Sequence, residues 1–563
     1  IPQLLDSTDE TIKNKKTTKK AVNYTSDDEE DEDETIQVPL TIIKKYNDDT
    51  TEAVTLAFEK DRSDDRKAWL MQSNKKNIVP QSDKNVSITD FINRELILFS
   101  YDDCDRSLPS VCDGLKPSQR KVLYGSFLKK LYGISSEIRV SQLAAYVSEK
   151  TCYHHGEASV VGTIVKMAQD FIGSNNINTL VPSGSFGTRC EGGDDHASAR
   201  YIQTYIMDIT RKIYKMDDDE ILNYLDDDGQ LIEPEWFIPI LPMILVNGTK
   251  GIGTGFSTTV PKYNPKEIVS NIFAMMDNKL DDIKEMKPWY KGFKGSILSA
   301  NKPGSFLIYG KYQVVDDVTI RVTELPVGVW TTKYKEFLET EIVKKNIQSY
   351  TSNNTDETIE FSIIFEEDKL AKLIKTKTIY TKLKLVSRIS SRNMYLYNPC
   401  GIIKKYDEPQ DILNEFYQVR LDMYTKRKNF LIGKLQNELN VLLYKMKFIQ
   451  SVLDGTIIVF KQKKSVIINK LIELKFPKLS TGSSNPKKNI NDSELELSND
   501  ETNIKDVSEA KGYEYITSIP LFSLTDEKIE ELQTKLDNKQ EELVKIESTP
   551  EKDQWRLELN EFL

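Results

Sequence analysis

The stretch S-G-S-F-G-T-R-C-E-G-G-D-D-H-A-S-A-R-Y-I, residues 183–202, sets an arginine directly before a tyrosine at the end of a glycine-studded loop. A tyrosine phenol, with a pKa of about 10, is a poor nucleophile at neutral pH without help. An isolated Arg-Tyr pair is ordinarily a helix start, with the ring packed and the guanidinium solvated. The reading of Arg200 and Tyr201 therefore depends on their surroundings. All three histidines of the chain, His154, His155 and His196, precede Tyr201 within the same segment, with Cys152 and Cys190 nearby. Structural zinc needs paired clamps of ligands, and "C-Y-H-H" has no second clamp, so no metal site is expected. Imidazole beside a basic helix fits better as a donor to phosphate.

That basic helix is "DGLKPSQRKVLYG" (113–125), with Pro117 in its first turn, where a missing N–H costs nothing. Lys116, Arg120 and Lys121 crowd an N-terminal end that already favours an anion, so an external phosphate is the natural counter-charge; the alternative is a solvated face. Farther on, "ILPMILVNGTKGIGTGFSTTVP" (240–261) reads as an apolar strand running into a glycine hairpin with Ile252 at its tip. An isoleucine there either caps a core or is a wedge that inserts between base pairs and kinks DNA.

The totals bound these readings. With 563 residues there is room for several domains, and 39% hydrophobic against 29% charged residues is ordinary for a soluble, elongated protein. No stretch approaches the ~20 apolar residues of a membrane span, and no signal peptide opens the chain. The start at Ile1 suggests a piece of something longer. A net charge of −10 argues against a nucleic-acid partner, but the run D-D-E-E-D-E-D-E (27–34) supplies eight of the negative charges and leaves the remainder nearly balanced. Five cysteines without a CxxC pair predict a reduced, intracellular protein.

Along the chain, residues 1–50 hold both "K-N-K-K-T-T-K-K" and the acidic run, and are expected to be a disordered charged insert. Residues 51–101 form a connecting segment in which "ITDFINRELILFS" is an amphipathic helix. Residues 102–230 are short helices with basic and glycine-rich junctions; "SQLAAYVSEK" and "GEASVVGTIVKMAQDFI", joined by "TCYHHG", have the proportions of a helix-turn-helix. Alternating stretches such as "FLIYGKYQVV" and "VTIRVTEL" make 231–404 rich in β-structure. Residues 405–563 change to a helical period, with one long helix near Pro409 and another carrying Ile529, Leu532, Leu536, Leu543 and Ile546, which can lie antiparallel as a coiled-coil arm. The polar stretch between them is low in complexity and is expected to be disordered.

Together these phrases resemble the DNA breakage-and-reunion region of eukaryotic type IIA DNA topoisomerases from about Glu52 onward. The resembling phrases include "LAFEKDRSDDRKAWL", "DGLKPSQRKVLYG", "YHHGEASVVGTIVKMAQDFIGSNN", "GSFGTR…ARYI", "EPEWFIPILPMILVNGTKGIGTGFST", "ELPVGVWTTKYKEFL" and "STPEKDQWRLELNEF". The resemblance implies a mixed α+β multidomain fold: a winged-helix DNA-binding domain (102–230), a β-rich tower (231–404), and a coiled-coil arm with a dimerising end (405–563). It implies that Tyr201 attacks a DNA phosphodiester and stays linked to the 5′ phosphate, while Arg200 stabilises the charge of the transition state. His155, Arg120, Lys116, Lys121 and Tyr153 would position the scissile strand, Ile252 would be the bending wedge, and Trp330 and Lys60 would touch flanking DNA. Double-stranded DNA, a homodimer, Mg2+, ATP and a nuclear location are implied with it.

Two departures stand out. Asp194 occupies a position where the family usually has lysine, which puts one DNA contact in doubt. The glutamate-glycine-aspartate and "D-x-D" phrases of the magnesium-binding TOPRIM domain and the ATPase domain are not in this sequence, so both cofactors are expected to be bound by parts not included here. The competing readings are a bacterial-type gyrase A or topoisomerase IV chain, an architectural DNA binder that needs Ile252 but not Tyr201, and a coiled-coil scaffold that needs neither.

Overall fold

The computed structural model describes residues 42–45, 49–80, 85–479 and 512–563. Its first part is a small helical layer. Helices Thr50–Phe58 and Ser63–Gln72 pack near a continuous helical run from Ile88 to Ser107. Ser87 starts that run by accepting the Asp90 N–H on its hydroxyl, as an N-cap should. A π-turn over Ile92–Leu96 interrupts it, and Asn93 there accepts the Trp69 indole N–H at 2.8 Å. Ile42–Lys45 form a strand paired parallel with Asn85–Ser87. This corrects the expectation of disorder for that stretch of the 1–50 segment: two adjacent isoleucines there find a partner edge. The acidic run and the low-complexity stretch before Gly512 lie outside the described residues.

The central part holds the main core. Helices Pro117–Leu128, Val140–Lys150 and Glu157–Ala168 bury Val122, Leu123, Leu143, Val147, Val160 and Ile164 against one another. The third helix ends at Ala168, four residues short of the predicted end. Gln169 leaves helical geometry because its side-chain amide donates to the carbonyls of Phe186 and Gly193, anchoring the glycine loop. The segment Met243–Asn247, read as a strand, is a short helix after Pro242. Met243, Ile244, Leu245 and Val246 are all buried, so no alternation was available to separate strand from helix.

Two antiparallel sheets follow. In the three-stranded one, Ser305–Tyr309 runs between Ser296–Ser299 and Val386–Ser390. The four-stranded one runs Lys311–Val314, Thr319–Glu324, Phe361–Ile364, Ser349–Ser352. Register sets Ile320 opposite Ile363 and Val322 opposite Phe361. Those side chains form a second core with Tyr334 and Leu338 of helix Thr331–Val343, while Arg321 between them faces water.

The last part is a 45-residue helix, Pro409–Leu453, roughly 68 Å long at 1.5 Å per residue. Helix Asp526–Ser548 runs antiparallel to it, as the Glu438–Lys539 ion pair and the Lys428 bond to the Thr549 carbonyl just past its end show. Helix Glu551–Phe562 then turns back onto the central core. Trp555 is fully buried there, donates to the Ile240 carbonyl at 2.8 Å and stacks on Tyr424. Asp218 accepts from Arg420 at 2.8 Å and Arg427 at 3.3 Å, and Glu558 accepts from Arg427 and from the Tyr424 hydroxyl. Two arginines and two carboxylates thus balance inside the joint between arm and core.

Candidate active site

Tyr201 stands on a stiff edge. Gln203–Thr204 pairs with Ile138–Arg139, and the carbonyls of Ala199 and Ile202 accept the Ser141 and Val140 N–H groups. Those are first-turn N–H groups of helix Val140–Lys150, which have no partner within the helix. The tyrosine loop therefore completes a helix end on both sides of residue 201. Ile202 is buried beneath, while Tyr201 is 73% exposed and Arg200 is exposed beside it. The packed ring of the ordinary Arg-Tyr reading is not what forms.

The loop before it is held from several sides. Asp195 accepts the Thr188 N–H and hydroxyl at 2.8 and 2.6 Å. Arg189, buried, pairs with buried Glu324 of the four-stranded sheet. Trp330 packs edge-on to Phe171 and lies flat against Gly192, where a Cβ would fall 2.3 Å from the indole Cε2. The backbone of Gly192 also has φ +71°, so two independent constraints favour glycine there. Asp194 is exposed at the loop surface.

A second cluster lines a cleft of about 930 Å³: Lys116, Lys121, Tyr153, His154 and His155. Lys116 donates to the Lys250 carbonyl at 2.9 Å, and burial, then the charge of Lys166, lowers its pKa. The Tyr153 ring meets His155 edge-on at 5.3 Å, and its hydroxyl bonds Ser159. Lys121 pairs with Glu233 at 2.8 Å and donates to the Thr151 carbonyl, so its charge is already met. Arg120, expected with them, does not line the cleft. Its guanidinium is buried, with Nε and Nη2 gripping Asp113 at 2.7 and 3.1 Å and Nη2 also donating to the Leu115 carbonyl at 2.9 Å.

The hairpin Thr249–Ile252/Ser257–Val260 holds Ile252 outward at 74% exposure. Its glycines serve close approach. A Cβ on Gly251 would lie 2.1 Å from the Ser107 carbonyl oxygen, and one on Gly253 would lie 3.1 Å from the Cys104 Cα. Thr254 adds a hydrogen bond to Asp103 at 2.9 Å. Helix Ile97–Ser107 thus backs the hairpin, and the exposed tip stands on a closely packed base.

The structure brings Lys116, Lys121, Tyr153 and His155 into one cleft. Tyr201, Arg200, Ile252, Trp330 and Lys60 do not line it, and Lys60 sits on the exposed turn after helix Thr50–Phe58. Lys166, Lys250, Lys262 and Arg388 also line the cleft and were missed. Lys250 was legible inside "N-G-T-K-G-I-G", but Arg388 arrives on a strand whose place no local pattern gives. Among the described residues, no group of three or more His, Cys, Asp and Glu is placed to hold a metal ion. No described helix is long and apolar enough to cross a membrane.

The chain thus sets an exposed Arg-Tyr pair on a pinned edge, a basic cleft and an exposed apolar hairpin tip on one protein. Residues 106–560 match the family model for the A subunit of DNA gyrase/topoisomerase IV, and the chain belongs to that family. Residues 15–104 match the C-terminal associated domain of TOPRIM, a match that takes in much of the segment set aside as a charged insert. Among relatives, DNA topoisomerase 2 of Candida albicans is 40% identical over 544 residues, covering 91% of this chain and 36% of that protein. DNA topoisomerase 2 of Plasmodium falciparum is 41% identical over 512 residues, covering 90% and 36%. The chain thus spans little more than a third of the length of these curated relatives. The crystal structure of the Plasmodium falciparum topoisomerase II DNA-binding, cleavage and re-ligation domain superposes with a TM-score of 0.79 at 39% identity, covering 92% of this chain and 69% of that one.

Proposed function

We propose that the chain is the DNA breakage-and-reunion part of a eukaryotic-type DNA topoisomerase II. The observation that carries this reading is Tyr201, exposed on an edge pinned on both sides, with the Arg200 guanidinium beside its ring. The Tyr201 oxygen attacks a backbone phosphorus, the bond from phosphorus to the 3′ oxygen breaks, and the 5′ phosphate stays on the tyrosine. The phenol loses a proton and the departing 3′ oxygen gains one. Because one phosphodiester replaces another, the reverse attack reseals the strand without external energy. Arg200 meets the extra negative charge of the five-coordinate phosphorus, a role that matters most in the transition state. Cutting both strands lets a second duplex pass, which changes supercoiling and decatenates DNA.

The central helices take the role of the winged-helix DNA-binding domain, the two sheets that of the tower, and the antiparallel helices that of the coiled-coil arm. The far end of the arm supports a homodimer: Ile458, Phe460 and Phe522 are exposed beside the small core of Phe448, Ile468, Leu471 and Tyr513. Each of the three lies within two residues in sequence of one that belongs to or packs on that core: Ile457, Val459 and Leu524. By the resemblance to topoisomerase II, Mg2+ and ATP are held by the TOPRIM and ATPase parts of the full enzyme, which works in the nucleus. Incubation with duplex DNA, Mg2+ and a TOPRIM-containing partner, followed by denaturation, should yield covalent protein–DNA adducts. Binding and bending without adducts would instead identify an architectural DNA binder.

A further inference from the structure

Lys262 is a charged side chain in the cleft that the cleavage chemistry above does not use. It follows strand Ser257–Val260 and donates to the carbonyls of Gly173, at 3.0 Å, and of Ser174. An ammonium has three donors and no acceptor, so two are committed to one loop. That loop is already stitched to the hairpin-bearing segment by neutral amides: Asn176 donates to the Val246 carbonyl, and Asn247 exchanges two bonds with Ile177. Lys262 is the charged stitch. Burial pushes its amine down to about 8, a cost that a purely neutral tether would avoid.

The loop leads toward the tyrosine. A Cβ on Gly173 would lie 3.3 Å from the six-membered ring of Trp330, whose five-membered ring covers Gly192. Thr332, two residues on, donates its N–H to the Cys190 carbonyl. On the opposite side, the strand preceding Lys262 pairs with the one that ends in Ile252. We infer that Lys262 is a positioning residue for strand cleavage, tying the hairpin that carries Ile252 to the Trp330-backed loop in front of Tyr201. The inference rests on the topoisomerase reading and adds to it a residue that touches neither the reacting phosphorus nor its nucleophile.

The test compares Lys262→Met and Lys262→Arg in the full-length enzyme, with Tyr201→Phe as control, on an end-labelled duplex. Lys262→Met keeps the stem and removes the donors, and should reduce covalent cleavage about 10-fold or more, since small misplacement of reacting groups is costly. Its DNA affinity should stay within about twofold and its salt dependence unchanged, because removing even one phosphate interaction would lower the slope by ~0.9. Lys262→Arg, which can still reach two carbonyls, should recover most of the cleavage. A lowered salt slope with a normal cleavage rate on bound DNA would make Lys262 an ordinary phosphate ligand and overturn the inference, as would unchanged cleavage in Lys262→Met. If Lys262→Met does not fold, Lys262→Leu, which also lacks donors, takes its place under the same criteria. Adducts missing from the unmodified enzyme, or persisting in Tyr201→Phe, would count against the topoisomerase reading, not against the tether.

Discussion

The guanidinium carbon of Arg200 lies 5.4 Å from the centre of the Tyr201 ring, so the cation and the phenol share one exposed patch. Replacing Tyr201 by Phe removes one hydroxyl from this patch. Covalent adducts should vanish, while DNA affinity should stay within a few-fold because many phosphate contacts remain. Arg200→Ala should slow cleavage by ~10²-fold or more, the usual size for losing a donor to transition-state charge. Quenched-flow cleavage of a labelled duplex decides both; a rate within threefold for Arg200→Ala removes it from the chemistry.

Ile252 is exposed on a hairpin whose glycines are pressed onto helix Ile97–Ser107. A wedge must be rigid to unstack a base step, which costs a few kcal/mol, offset by contacts that the bent duplex reaches. Ile252→Ala should leave melting temperature and overall affinity nearly unchanged, and weaken both bending and cleavage. Energy transfer between dyes at the two duplex ends reads the bend directly, and normal bending by the variant would exclude the wedge.

Much of this site was legible in the sequence because its signals are local. Pro117 at a helix start, the alternation through Thr319–Glu324 and the seam of the long helices each need only a few neighbours to read. What stayed hidden depends on distant partners. Arg120 and Lys116 look alike in "K-P-S-Q-R-K", yet Asp113 turns one inward while the other faces the cleft. Met243, Ile244, Leu245 and Val246 are all buried and so carry no period. Trp330 was read as a DNA contact, but much of its ring covers Gly192 and Gly173, residues more than 130 positions away.

The burial of Arg120 against Asp113 has its own consequence. Breaking a buried ion pair by removing one partner typically costs about 3–5 kcal/mol, since a charge is left stranded. Arg120→Ala should therefore lower thermal stability clearly, with DNA affinity below the melting range changed only a few-fold. A variant that melts normally but binds DNA weakly would restore Arg120 to the DNA-contact set.

Thiol chemistry offers a test of packing. Burial pushes the thiols of Cys104 and Cys112 up to about 12, so almost no thiolate exists at pH ~7.5. Cys400 is exposed. A maleimide should label Cys400 rapidly in the folded protein, and Cys104 and Cys112 only after denaturation. Rapid native labelling of Cys104 would mean that the hairpin lifts away from its backing helix.

The joint between core and arm separates two kinds of ion pair. Glu531, between Lys528 and Lys535, has its carboxyl pulled down to about 2 by hydrogen bonds from both lysines, but it lies on an exposed helix face. Pairs of that kind contribute little to stability because water and salt screen them. Asp218 is buried and serves both Arg420 and Arg427, which have no access to solvent. Removing it strands two guanidinium groups with only Glu558 to meet them, and the cost of a broken buried pair applies. Asp218→Ala should thus lower the melting transition of the core strongly, whereas Glu531→Ala should shift it by about a degree or less. The same Asp218 substitution should loosen the arm, because Glu558 holds helix Glu551–Phe562 to the same arginines. Spin labels on the core and on the arm would then show a broadened distance distribution in Asp218→Ala alone. Equal melting and equal distances in the two variants would mean that the buried charges do not set the angle of the arm.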